Sequence, residues 1–118
     1  MNLTEALDAH AAWKTKLRGA IAKREKLDAA TICRDNACAL GKWLHGEGKG
    51  SYGRHASFTD CVAKHASFHK EAGKVAEAIN AGQYEDAERM LGAGTSYAQA
   101  SSSVGVAIQR LRKDAGQA

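Results

Sequence analysis

His65 and His69 stand four residues apart in the stretch Cys61-Val62-Ala63-Lys64-His65-Ala66-Ser67-Phe68-His69-Lys70. On an α-helix this spacing puts both imidazoles on one face, one turn apart, with roughly 6 Å between their backbones. Two ring nitrogens so placed can reach a single metal ion. The same broad face carries Phe58, Val62, Phe68, Val75 and Ile79, so the helix turns its histidines into a packed interior. Burying a polar group without a partner costs roughly 1–3 kcal/mol. A buried pair therefore calls for a metal or for hydrogen bonds to neighbouring helices. His-x-x-x-His alone does not decide between them, because so short a motif recurs by chance.

The composition supports a helical setting. The chain has no proline, 12 glycines and few aromatic residues, while alanine, leucine, lysine and glutamate are plentiful. Its 118 residues suggest one domain spanning positions 1–118. A core rich in alanine contributes little hydrophobic stabilisation, so a cross-link such as a bound metal would help.

The helical pattern begins at the first residues. Thr4 is a candidate N-cap, and Ala6, Leu7, His10, Trp13, Leu17, Ala20, Ile21 and Leu27 recur mostly at three and four, predicting a helix over about 4–28. His10 falls inside its apolar stripe. Residues 29–36 read as a connection, in which Asp35 or Asn36 caps a short helix starting near Ala37 and stopping at Gly46. The glycine-rich stretch 46–54 reads as a flexible turn, since it lacks the Lys-Ser/Thr of a phosphate loop. A central helix is predicted over 55–80, ending at Gly82, and a last helix begins at Tyr84. Gly92, Gly94 and Ser101-Ser102-Ser103 mark a bend or a close helix approach in it. Residues 114–118 read as a frayed tail. Brief loops between long helices imply an antiparallel four-helix bundle, with the short cysteine-bearing helix added to it.

The formal charge of +4 comes from 17 basic and 13 acidic residues. The basic ones are scattered, and no aromatic run interleaves with them as a nucleic-acid platform would require. No apolar stretch is long enough to span a membrane, and the opening residues do not read as a secretion signal. The expected compartment is the cytoplasm, where three reduced cysteines serve as metal ligands or redox sensors more readily than as disulfides.

Zinc favours four sulfur or nitrogen ligands in a tetrahedron. His65 and His69 supply one helical arm and His10 another. Cys38 lies near the start of the short helix, whose dipole favours the anionic sulfur that binds metal. Cys61 is a rival, one turn from His65. It lies eight residues from His69, however, about 12 Å along the axis at 1.5 Å per residue, which disfavours a shared ion. Cys61 is expected as a small buried hydrophobe, Cys33 as incidental, and His45 and His55 as exposed.

Three pieces of the sequence together resemble a known family. They are His10-Ala11-Ala12-Trp13, then Cys38-Ala39-Leu40-Gly41-Lys42-Trp43 followed by Leu44-His45-Gly46-Glu47-Gly48, and then His65 to His69. In this pattern the chain resembles the bacterial chemoreceptor zinc-binding (CZB) domains. The resemblance implies a four-helix bundle with an additional short helix, and a Zn2+ site made by His10, Cys38, His65 and His69. It also implies a sensory role, in which zinc or an oxidant such as hypochlorous acid controls a chemoreceptor or a diguanylate cyclase making cyclic-di-GMP. No segment of the chain reads as such an output domain, and the opening methionine suggests a free-standing version or a fragment. A homodimer through a bundle face is expected.

A site with four protein ligands leaves no open position for a catalytic water, so no enzymatic activity is expected. Two other readings stand beside zinc. A di-iron bundle would want Glu-x-x-His pairs, and Glu71 follows His69 by only two residues. A structural or interaction bundle would need only hydrogen-bonded core histidines.

Overall fold

A computed structural model describes residues 1–117, and among these there is no strand. The helices are α1 (Leu3–Ala11), α2 (Trp13–Lys23), α3 (Ala29–Ile32), α4 (Ala39–Leu44), α5 (Glu47–Tyr52), α6 (Ala56–Asn80), α7 (Tyr84–Met90) and α8 (Ser96–Asp114). They build a molecule of 43 × 25 × 19 Å. No described helix is long and apolar enough to cross a membrane.

The central helix is the spine. Along α6, Phe58, Cys61, His65, Phe68, His69, Ala72, Val75, Ala76 and Ile79 are buried, the spacing of a wide apolar stripe. α8 packs along it, α1 packs against α8, and α3 lies on its second half. Leu3, Leu17, Leu40, Leu44, Leu91, Ile108 and Leu111 close the core. Between them, Ala6, Ala20, Ala72, Ala76, Ala87 and Ala107 are buried, so the core is as rich in alanine as the composition suggests.

Several local expectations are corrected. The N-cap of the first helix is Asn2, whose Oδ1 accepts from Glu5 N–H at 3.1 Å, rather than Thr4. The helix is interrupted at Ala12, though the backbone there stays right-handed (φ −70°, ψ −16°). It ends at Lys23 instead of running to 28. Arg24 adopts a left-handed conformation (φ 53°), and the Glu25 N–H returns to the Ala20 carbonyl, a helix closure more often made by glycine. The Arg24 guanidinium lies over the Tyr84 ring, 5.1 Å from its centre, and this contact helps hold the turn.

The connection 29–36 contains α3, capped by Asp28 through the Thr31 N–H and hydroxyl. Neither Asp35 nor Asn36 caps α4; Cys38 does. The glycine-rich stretch is helical over Glu47–Tyr52. Glycine costs about 1 kcal/mol in a helix, but here its missing side chain is useful. A methyl on Gly48 would stand 2.8 Å from the Trp43 ring, which also packs 5.9 Å from the ring of Tyr52.

α6 follows the prediction closely. The last segment divides into α7 and α8, separated by a left-handed turn at Gly94 (φ 78°), and Thr95 caps α8 through the Ala98 N–H. Ser101-Ser102-Ser103 lies inside α8 without breaking it. The tail is tied down up to Gln117. Its side chain accepts from the Leu3 N–H at 2.9 Å and donates to the Met1 carbonyl at 2.8 Å. Ala118, the last residue of the expected frayed tail, lies outside the described residues.

Candidate metal centre

Two helices, α1 and α6, and the cap of α4 bring the centre together. α6 holds the His65 and His69 rings with centroids 4.5 Å apart. α1 delivers His10, whose ring centroid lies 4.9 Å from that of His65 and 5.5 Å from that of His69. Cys38 occupies the cap of α4. Its Sγ lies 3.3 Å from His65 Nε2 and 3.6 Å from His69 Nε2, and it accepts from the Gly41 N–H at 3.4 Å. Gly41 is confined by the same turn, since any side chain there would collide with the Asp35 carbonyl. One donor atom from each of His10, Cys38, His65 and His69 lies within 4.8 Å of all the others.

The tautomers follow from the hydrogen bonds. His10 Nδ1 is 2.8 Å from the Ala6 carbonyl, and His69 Nδ1 is 2.9 Å from the Ile32 carbonyl. A carbonyl only accepts, so each Nδ1 carries the proton. In the neutral ring each Nε2 then keeps its lone pair for the centre, the arrangement usual for metal-binding histidine. His10 Nε2 is buried with no hydrogen-bond partner. An unpartnered basic nitrogen in an interior is costly unless something fills its lone pair. His65 turns its Nε2 towards Cys38, while its Nδ1 is buried without a partner.

The donor set fits zinc. A tetrahedron with ligands about 2.0–2.3 Å from the ion has edges of about 3.3–3.7 Å. The two sulfur–nitrogen distances fall in that range.

Electrostatics act in the same direction. Burial, and then the neighbouring His69 and His10, push His65 down to about 3. Burial also lowers His10 and His69, opposed in each case by the backbone hydrogen bond. All three rings are therefore held neutral near neutral pH, as metal ligands must be. Phe68 and Trp13 wall the cluster, with ring centroids 5.5 Å and 6.4 Å from that of His69.

The residues expected to stand apart do so. Cys61 is wholly buried, and burial raises its thiol to about 12, as suits a small hydrophobe. Cys33 is exposed, its thiol donating to the Ala30 carbonyl. His45 and His55 are exposed, and His45 Nε2 meets Asp35 Oδ2 at 3.0 Å. Sequence reasoning missed the outer layer: the carbonyls of Ala6 and Ile32 and the N–H of Gly41. Ala6 was readable, because it stands one turn before His10. Nothing in the sequence pointed to Ile32, which is brought to His69 by the tertiary fold.

The family model for the chemoreceptor zinc-binding domain (CZB) matches residues 10–76, more than half of the chain. The matched segment opens at His10 and includes the other three residues of the cluster. No curated protein and no solved structure gives a significant match.

Proposed function

We propose, from the premise that the chain belongs to the chemoreceptor zinc-binding family, that it is a sensory domain holding one Zn2+ through His10 Nε2, Cys38 Sγ, His65 Nε2 and His69 Nε2. The observation that carries the ligand assignment is that each of these four residues offers a donor atom within 4.8 Å of those of the other three. Zinc itself follows from the family and from the donor set.

Bound zinc supplies a cross-link and a positive charge that holds the sulfur as thiolate. The chain does the rest. Ala6 and Ile32 fix two ring orientations, Phe68 and Trp13 limit water, and α4 presents the sulfur from a cap rather than from a rigid helix interior. Cys38 is only half-buried, so among the four it is the one an oxidant reaches first. Protonation of its sulfur, or its two-electron oxidation by hypochlorous acid to sulfenic acid with release of chloride, would remove one ligand, free α4 and shift the packing of the bundle. On this reading the role is regulatory and not enzymatic, because four protein ligands leave no position for a reacting water.

The finer architecture accompanies this proposal: one domain, an antiparallel four-helix bundle with α4 as the added short helix. The packing of α6 on α8 and of α1 on α8 supports it. The partners proposed are a second copy of the chain, as a homodimer, and a chemotaxis or cyclic-di-GMP output acting in the cytoplasm. The test is elemental analysis of protein purified without chelator. One zinc per chain is expected, with loss of the metal when His10 and Cys38 are both replaced by alanine. A stoichiometry far below one, or full retention in the double variant, defeats the proposal.

A further inference from the structure

The His69 ring is aimed by a backbone carbonyl that the sequence places 37 residues away, and that carbonyl is held in place by a strap across α6. The strap is the segment from Leu27 to Cys33, including α3. It meets α6 along one face. His69, Gly73, Ala76 and Asn80 follow one another there at offsets of four, seven and eleven residues, successive turns of one stripe.

At the far end, Asn80 clips the strap by two bonds. The Leu27 N–H donates to Asn80 Oδ1 at 2.7 Å, and Asn80 Nδ2 donates to the Leu27 carbonyl at 2.7 Å. At the near end, His69 Nδ1 donates to the Ile32 carbonyl. Between them Gly73 is buried, and the strap presses onto it. A methyl group on Gly73 would stand 2.6 Å from Cys33 Cβ, 3.1 Å from Cys33 Cα and 3.4 Å from Cys33 N. Cβ atoms do not approach so closely, and Cys33 adjoins Ile32, so the displacement would fall on the very peptide that aims His69.

We propose that Gly73 is a positioning residue for the metal centre, with Asn80 as its second anchor. Its missing side chain lets α3 lie close enough for the Ile32 carbonyl to hold the His69 ring, tautomer and orientation together. The proposal rests on the reading of His69 as a zinc ligand. It explains why the buried stripe of α6, elsewhere made of alanine, larger apolar residues and the two histidines, carries a glycine in mid-helix, where alanine would be favoured by about 1 kcal/mol.

The test measures zinc affinity by competition with a chromophoric chelator. Outer-layer changes of this kind typically weaken metal binding about 10–100-fold. Gly73→Ala is expected to lose affinity in that range. Gly19→Ala is the control, because a methyl there meets nothing within 4 Å, and it should bind as wild type. Adding Cys33→Gly to Gly73→Ala removes the Cβ in the way and should restore much of the affinity. Nitrogen-15 NMR gives a readout that general destabilisation would not imitate. The hydrogen-bonded Nδ1 signature of His69 should weaken in Gly73→Ala and return in the double variant.

Wild-type affinity in a folded Gly73→Ala protein overturns the proposal. If that variant does not fold, Asn80→Ala decides. Weaker zinc binding with an unbonded His69 Nδ1 supports the strap, and unchanged binding with an unchanged Nδ1 signal overturns it. A His69→Ala variant with undiminished affinity would instead show that the ligand assignment had failed, taking the strap with it.

Discussion

Cys38 Sγ lies 3.3 Å from His65 Nε2 across a sequence separation of 27 residues. The contact joins the cap of a six-residue helix to the middle of the longest one. Nothing in α4 alone would hold it there, since a helix of this length is unstable in isolation. Zinc bridging the two atoms would therefore tie the position of α4 to the metal.

Replacing Cys38 by alanine should accordingly act on both metal and fold. Affinity for zinc is expected to fall by more than the roughly 100-fold upper range of outer-layer changes. The rise in melting temperature that zinc gives the wild type should largely vanish. Thermal melts with zinc and with chelator check this. A variant whose melting temperature still rises with zinc as the wild type's does would mean that the sulfur is not a ligand.

The three thiols should react in a fixed order. Cys33 is exposed, Cys38 half-buried and Cys61 fully buried with its thiol raised to about 12. Alkylation of the native, chelator-treated protein, followed by mass spectrometry, should modify Cys33 first, Cys38 next and Cys61 last. Zinc should slow Cys38 strongly and leave Cys33 unchanged. Equal protection of Cys33 and Cys38 would point to a general tightening of the protein rather than to coordination.

Acid should weaken the chelator-treated protein through its histidines. Burial holds His10, His65 and His69 below their ordinary value of 6.5, with His65 down to about 3. Above 6.5 neither the folded nor the unfolded chain protonates these rings, and they cost nothing. Below it the unfolded chain takes up protons that the fold refuses. Stability is therefore expected to fall as pH drops from about 6.5 towards 3. Denaturant unfolding across that window measures the slope. Stability that stays flat or rises on acidification would contradict the burial of neutral rings.

Much of this was legible in the chain, and the limits have physical causes. The stripe on α6 is long and regular, so its span and buried face followed from periodicity. That His10, His65 and His69 would meet was readable from the apolar stripes they interrupt, and Cys38 joined them through its place at the start of a short helix and the resemblance to a family pattern. Short-range expectations fared worse. Asn2 displaced Thr4 as cap, and Trp43 packing on Gly48 made a helix where glycine content argued for a turn. The left-handed Arg24 closure gave no warning, because glycine is its usual sign. The Ile32 carbonyl was invisible for a deeper reason: backbone atoms carry no residue signature, and only packing decides which one reaches a ring.

Phe68 and Tyr97 pack with ring centroids 5.6 Å apart, yet substitutions at the two should act in opposite directions. Phe68 is wholly buried and touches the edges of His10 and His69, so Phe68→Ala leaves a cavity beside the cluster. A cost of about 3–5 kcal/mol is expected, with weaker zinc binding as the rings lose their wall. The Tyr97 hydroxyl, in contrast, is buried without a hydrogen-bond partner, and burial raises its phenol to about 12. Removing an unsatisfied hydroxyl lifts a desolvation penalty, so Tyr97→Phe should gain about 1 kcal/mol while leaving zinc affinity alone. Denaturant unfolding of both variants, each with and without chelator, checks the pair. A destabilised Tyr97→Phe protein would show that the hydroxyl is satisfied in solution.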